Sequence, residues 1–135
     1  MGLRVIKSVS SILLICPLSL MGYVEEKETQ GEQVERVVRD LQDENEDVRW
    51  NAVEVLRQMG SLDTVTVLME ALKDENEDVR WNAVEALKEI GALDAVPALI
   101  QVLKDQSEDV RWNAVQALEK IGTPEALKVV KGYQS

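Results

Sequence analysis

The sequence repeats itself every 31 residues. The block Asp43-Glu44-Asn45-Glu46-Asp47-Val48-Arg49-Trp50-Asn51-Ala52-Val53 returns unchanged from Asp74 to Val84, and loosely from Asp105 to Val115. A fixed period of this length means a stack of supersecondary units, each able to bury its apolar face only against its neighbours. An all-α array is therefore the expected architecture.

Each block reads as a pair of helices. Asn45, Asn76 and Ser107 fall at equivalent positions, and all three types favour a helix N-cap, where the side chain accepts from an orphan backbone N–H. Two acidic residues follow each time, as the positive end of a helix prefers. The helix then runs to Gly60, Gly91 or Gly122, residues suited to a left-handed stop. Val48, Ala52, Val55, Leu56 and Met59 recur at helical spacing and predict one buried stripe. A second helix is predicted from near Asp63 and Asp94, and from Thr123-Pro124 in the last block. Residues 33–42 align with that second helix one period earlier. The expected organisation is a half repeat over 32–42 and whole repeats over 43–73, 74–104 and 105–135. The last helix turns polar at Lys131 and Gly132, as a terminal repeat facing water should.

Before the repeats, Arg4 and Lys7 precede an uncharged run over residues 8–24, interrupted by Pro17, and an acidic polar linker spans 25–31. A basic start, an apolar middle and a polar exit form the pattern of a secretory signal. Residues 1–24 are accordingly expected to be a signal peptide or, left uncleaved, a membrane anchor. The charge order then exports the repeats, leaving them periplasmic, extracellular or tethered to the inner membrane. A cytoplasmic protein is the alternative.

Composition narrows the chemistry. With 25 acidic against 15 basic side chains, the net charge is −10 at pH 7. Such a surface repels phosphate backbones, so no nucleic acid is expected as a partner. Histidine is absent, which removes the commonest general base and metal ligand. The single cysteine, Cys16, lies outside the repeats. No nucleophile–base pair and no phosphate-cradling glycine loop is present, so no catalytic residue and no cofactor is expected. Asp43-x-Asn45-x-Asp47, with Glu54 further on, imitates a calcium loop, but Val48 stands where that loop requires glycine. No metal site is expected.

Val79-Arg80, Ala83, Leu87, Ile90-Gly91 and Ala95-Val96-Pro97-Ala98-Leu99 resemble the short HEAT-like repeats named after the phycobilisome lyases. The resemblance covers residues 32–135 and implies a right-handed α-solenoid of about three and a half helical pairs. It implies little about activity. Similar repeats occur in pigment-lyase subunits, DNA-alkylation-repair proteins, a metal-dependent hydroxylase and protein-binding scaffolds, and fold analogy does not choose among them. The hydroxylases need His-Glu pairs, which this chain lacks.

Three recurring features are candidate sites. Trp50, Trp81 and Trp112 lie two residues after the repeat valine, about 200° around the helix from it, and so face away from the core as a candidate partner-binding row. The competing reading packs each ring on its own helix or the neighbouring repeat, with Arg57 or Lys88 stacked on it. Asn51, Asn82 and Asn113 fall on the shoulder of the buried stripe, where an amide is expected to bond to the next repeat. Asp47-x-Arg49, Asp78-x-Arg80 and Asp109-x-Arg111 resemble the charge ladder that pins HEAT repeats together. In such arrays the second helices line the concave side, which would expose Glu70, Gln101 and Lys104 there and leave the Trp row opposite. The functional expectation is a monomeric, non-catalytic scaffold for a protein partner, meeting a membrane only through its N-terminal segment. The alternative is a pigment-lyase-like subunit working with a partner chain.

Overall fold

The structure, a computed structural model, describes residues 27–135. The expected signal peptide or anchor lies outside the described residues. Among these residues there are seven α-helices and no strand: α1 Gln30–Asp40, α2 Glu46–Met59, α3 Val65–Ala71, α4 Glu77–Ile90, α5 Val96–Val102, α6 Glu108–Ile121 and α7 Pro124–Gln134. Short 3₁₀ turns, Leu62–Thr64 and Leu93–Ala95, lead into α3 and α5. None of the helices is long and apolar enough to cross a membrane.

Local chemistry sets the helix ends. The Asn45 side chain accepts from the Asp47 N–H, Asn76 from Asp78 and Val79, and Ser107 from Val110. Thr29 and Glu32 close a reciprocal capping box at the start of α1. The three long helices stop at Gly60, Gly91 and Gly122, with φ of 58°, 70° and 70°. No other residue type adopts that left-handed geometry cheaply.

The helices form a two-layer α-solenoid. In one layer α2, α4 and α6 stack directly on one another; in the other, α3 and α5 each fill the angle between a long helix and the next. Ala52, Ala83 and Ala114, with Ala86 and Ala117, are buried along the long helices. Such small side chains permit close approach of neighbouring helices. Leu56, Leu68, Leu87, Leu99 and Leu118 fill the space between the layers, sealed from solvent. Val79 and Val110 are likewise sealed, whereas Val48, with only α1 beside it among the described residues, is partly covered.

The relative spacing of the layers gives the curvature. The long helices pack tightly along their own row, while α3 and α5 scarcely meet each other. A stack bends toward the layer with the shorter repeat distance, so α2, α4 and α6 line the inside. This reverses the expectation that the short helices would do so. Glu70, Gln101 and Lys104 are exposed as expected, but on the outer side. The expectation failed because a repeat can be cut before either helix, and the first helix in the numbering is not thereby the outer one.

Candidate functional site

Trp50, Trp81 and Trp112 stand on the solvent side of the long-helix layer, one per repeat, 39%, 41% and 61% exposed. These values lie between the two readings of the sequence: the rings are neither buried in the repeat interface nor free of it. None of the indole N–H groups has a hydrogen-bond acceptor among the described residues. Arg57, expected to stack on a ring, is instead engaged by Glu54 and Glu89, at 2.8 and 2.9 Å. Lys88 is held by Glu85, 2.6 Å away, and by the Asn113 side-chain oxygen at 3.2 Å.

Between successive tryptophans lie shallow grooves. The first, about 310 Å³, is lined by Glu46, Asp47, Trp50, Asn76, Asp78 and Trp81. The second, about 290 Å³, repeats it with Glu77, Asp78, Trp81, Asp109 and Trp112. A third of about 250 Å³ closes the row between Trp112 and Tyr133. The six carboxylates at the starts of the long helices, Glu46, Asp47, Glu77, Asp78, Glu108 and Asp109, are all exposed. None forms an ion pair among the described residues. Their charge stabilises the helix N-termini without being neutralised by a side chain.

The asparagines follow the Trp row at its base. The Asn82 amide donates to the Trp50 carbonyl at 3.4 Å, and Asn113 donates to the Trp81 carbonyl at 3.1 Å. Both are buried, at 2% and 3% exposure. The bond runs to the preceding repeat, not the next one as the sequence reading had it. It ties the turn carrying each Trp to the helix behind it. Asn51, with no long helix on its preceding side among the described residues, is exposed.

The arginines take a different carboxylate from the one the sequence motif offered. Arg49 donates from Nε and Nη2 to the two Asp74 oxygens, at 2.8 and 3.1 Å, and from Nη1 to the carbonyls of Asp43 and Glu44. Arg80 repeats the arrangement with Asp105 and the carbonyls of Asp74 and Glu75. Arg111 donates only to the carbonyls of Asp105 and Gln106. Asp47, Asp78 and Asp109 are thus not the arginines' partners: residues two apart on a helix do not face each other. They stand on the Trp side. The signal that finds Asp74 and Asp105 is their recurrence at the first position of each block. Strong bonding to Asp74 raises the pKa of Arg49 despite burial.

Glu54 and Arg57 form a second polar link beside α4. Paired hydrogen bonds from Arg57 hold the Glu54 carboxyl below its ordinary value of 4.5, against the opposing effect of burial, with help from Gln58 and Asn82. A carboxylate lowered in the folded state contributes stability that is complete above its unfolded pKa and is lost as pH falls through the folded value. Denaturant titrations from neutral pH down to about pH 3 should therefore show wild type more stable than Glu54→Gln above about pH 4.5, with the two curves converging at the acid end. A pH-independent difference would mean that Glu54 acts by shape alone.

No group of three or more His, Cys, Asp or Glu side chains among the described residues is placed to hold a metal ion. Sequence comparison agrees with the architecture: the profile of HEAT repeats matches residues 21–78, 34–101 and 65–133. The chain belongs to the HEAT-repeat family. No curated protein matches it at a significant level. Among solved structures, this HEAT-repeat chain is similar to the complex of CpcE and CpcF of phycocyanin lyase from Nostoc sp. PCC7120, with a TM-score of 0.64 and 29% identity. That match covers 78% of this chain and 43% of the other, so the chain spans less than half the length of the protein it resembles. An engineered protein matches with a TM-score of 0.54 at 22% identity, covering 75% of this chain and 51% of that one, a likeness of fold alone.

Proposed function

We propose that this chain is a non-catalytic HEAT-repeat scaffold that holds a protein partner along Trp50, Trp81 and Trp112. The observation that carries the reading is the row itself: three half-exposed tryptophans at one-repeat intervals on the inner curve, separated by equivalent grooves. Tryptophan is the residue type most enriched among interface hot spots, and structure has no need to leave it in water three times over. Trp81→Ala should cost at least about tenfold in affinity for the partner captured from the host. Helicity and cooperative melting should stay intact. Undiminished capture would remove the row from the interface, and lost folding would make the ring structural.

The order of residues 1–33, basic, apolar, then acidic, supports export or membrane tethering of the scaffold. Mass spectrometry of the protein from its native host should find about the first twenty residues absent, or the intact chain in membranes. Full-length protein in the cytosol would overturn this assignment.

The likeness to the phycocyanin lyase complex favours a second reading, a lyase-like subunit that holds a pigment-bearing substrate while a partner chain completes the site. Copurification of a visible-absorbing pigment with the chain and its partner would support it. The acid-lined, shallow form of the grooves on the inner face favours the scaffold, since small-molecule pockets are mostly apolar and enclosing.

A further inference from the structure

We propose that the Trp row reads arginine side chains on a polyproline-II segment of the partner, one arginine in each of the two grooves between successive tryptophans and three residues apart. The proposal rests on the reading of this row as the partner surface and specifies what it recognises.

The charge of the grooves selects the ligand's sign. Each long helix brings two exposed carboxylates to the row, and its N-terminus offsets them by only about half a positive charge. No lysine or arginine lines either of the first two grooves. The nearest basic side chains there are committed elsewhere: Arg49 to Asp74, Arg80 to Asp105, Arg57 to Glu54 and Lys88 to Glu85. Arg111 lines the third groove, beside Trp112, so it is the first two grooves that select a cation. An anion is repelled here, and an apolar group would cover the carboxylates without replacing their water. A cation gains from both walls, from the carboxylates by charge-assisted hydrogen bonds and from the indole face by cation–π attraction. The planar guanidinium does both at once, stacking on the ring while its edge donates to Asp47 or Asp78; an ammonium does not stack. A second copy of this chain is a poor occupant, because its net charge is −10 and its own row carries the same unpaired acids.

The pitch of the row selects the backbone. Stacked helices lie about 8–10 Å apart, and the inner side of a curve holds them at the short end of that range. A polyproline-II segment rises about 3.1 Å per residue with three residues per turn, so residues i and i+3 share a face about 9.3 Å apart. A β-strand gives about 6.6 Å between residues on one face, or about 13 Å at the next opportunity, and matches neither. An α-helix reaches about 10.5 Å only at i and i+7, beyond the inner spacing.

The test is calorimetry of the full chain with synthetic peptides, followed in parallel by tryptophan fluorescence. The matched peptide carries arginine at i and i+3 with proline after each. One isomer of the same composition has its arginines contiguous, a helix-forming peptide has arginine at i and i+7, and a fourth replaces every arginine with glutamate. The matched peptide should bind at least about tenfold tighter than the contiguous isomer, and its binding should quench the tryptophans. Binding should weaken steeply as ionic strength approaches about 1 M, where the Debye length is about 3 Å. Asp78→Asn should weaken it several-fold, and Trp81→Phe less than Trp81→Ala, with unchanged melting in each case. No binding of the matched peptide, equal binding of the contiguous isomer, or tighter binding of the helical or acidic peptide overturns the proposal. The two readings separate cleanly. If a host partner is lost with Trp81→Ala but retained when Asp47, Asp78 and Asp109 all become asparagine, the row is the partner surface and its ligand is not cationic. If Trp81→Ala changes neither partner capture nor peptide binding, both readings fall.

Discussion

Replacing Asp74 with alanine is expected to lower stability by about 3–5 kcal/mol, the usual cost of leaving one member of a buried ion pair without its counter-charge. Arg49 and Asp74 are 7% and 9% exposed at their side chains, so water cannot step in for the lost carboxylate. Two parallel hydrogen bonds disappear at once. So does the acceptor for the Asn76 N–H, which Asp74 Oδ1 holds at 2.9 Å just ahead of the helix cap. The guanidinium retains the carbonyls of Asp43 and Glu44 and a longer contact, 3.4 Å, to the exposed Glu75 carboxylate. Arg111 supplies an internal control, because it bonds two carbonyls and no carboxylate among the described residues. Arg111→Ala should cost less, about 1.5–3 kcal/mol, the scale of a charged group's hydrogen bonds alone. Urea unfolding of both variants decides it. Equal losses would mean that the carbonyl contacts, rather than the ion pair, fasten the blocks.

Leu87→Ala should cost about 2–5 kcal/mol and, beyond that, change the shape of the transition. Leu87 is fully buried in α4, the central long helix, which packs on α2, α3 and α6. In a linear array stability is a sum of repeat terms and nearest-neighbour interface terms, and the interfaces supply the cooperativity. A cavity in the middle weakens the coupling on both sides. Thermal melting by circular dichroism should show one transition for the wild type and a broadened or two-step transition for Leu87→Ala. A shifted but equally steep transition would place the coupling elsewhere.

Much of this fold was legible because its determinants are local. Asn45, Asn76 and Ser107 cap helices, and Gly60, Gly91 and Gly122 end them, through bonds within four residues. A 31-residue period then states that whatever holds one block also holds the next. Two things were not legible, for separate reasons. The arginines' partners lie 25 residues along the chain, whereas Asp47 and Asp78 stood nearby and drew attention. Helical geometry alone excludes those neighbours, since residues two apart point to different sides. The curvature was illegible because it depends on the difference in spacing between two layers, which no single repeat contains. That difference moved the Trp row from the outside of the bend to the inside. Independently, the arginines' bonds to Asp74 and Asp105 leave Asp47, Asp78 and Asp109 beside the tryptophans.

The bonds from Arg49 and Arg80 to the aspartate that opens the following block make the two junctions between whole blocks identical in kind. A unit offers a fork at one end and a carboxylate at the other, so 31 residues spliced in at a block boundary would find both neighbours already fitted to receive them. Array length is then a quantity that gene duplication can adjust in whole steps. Each step would add one tryptophan and one groove, leaving the existing ones untouched. The molecule is in this sense a ruler whose graduations were copied along with its rod.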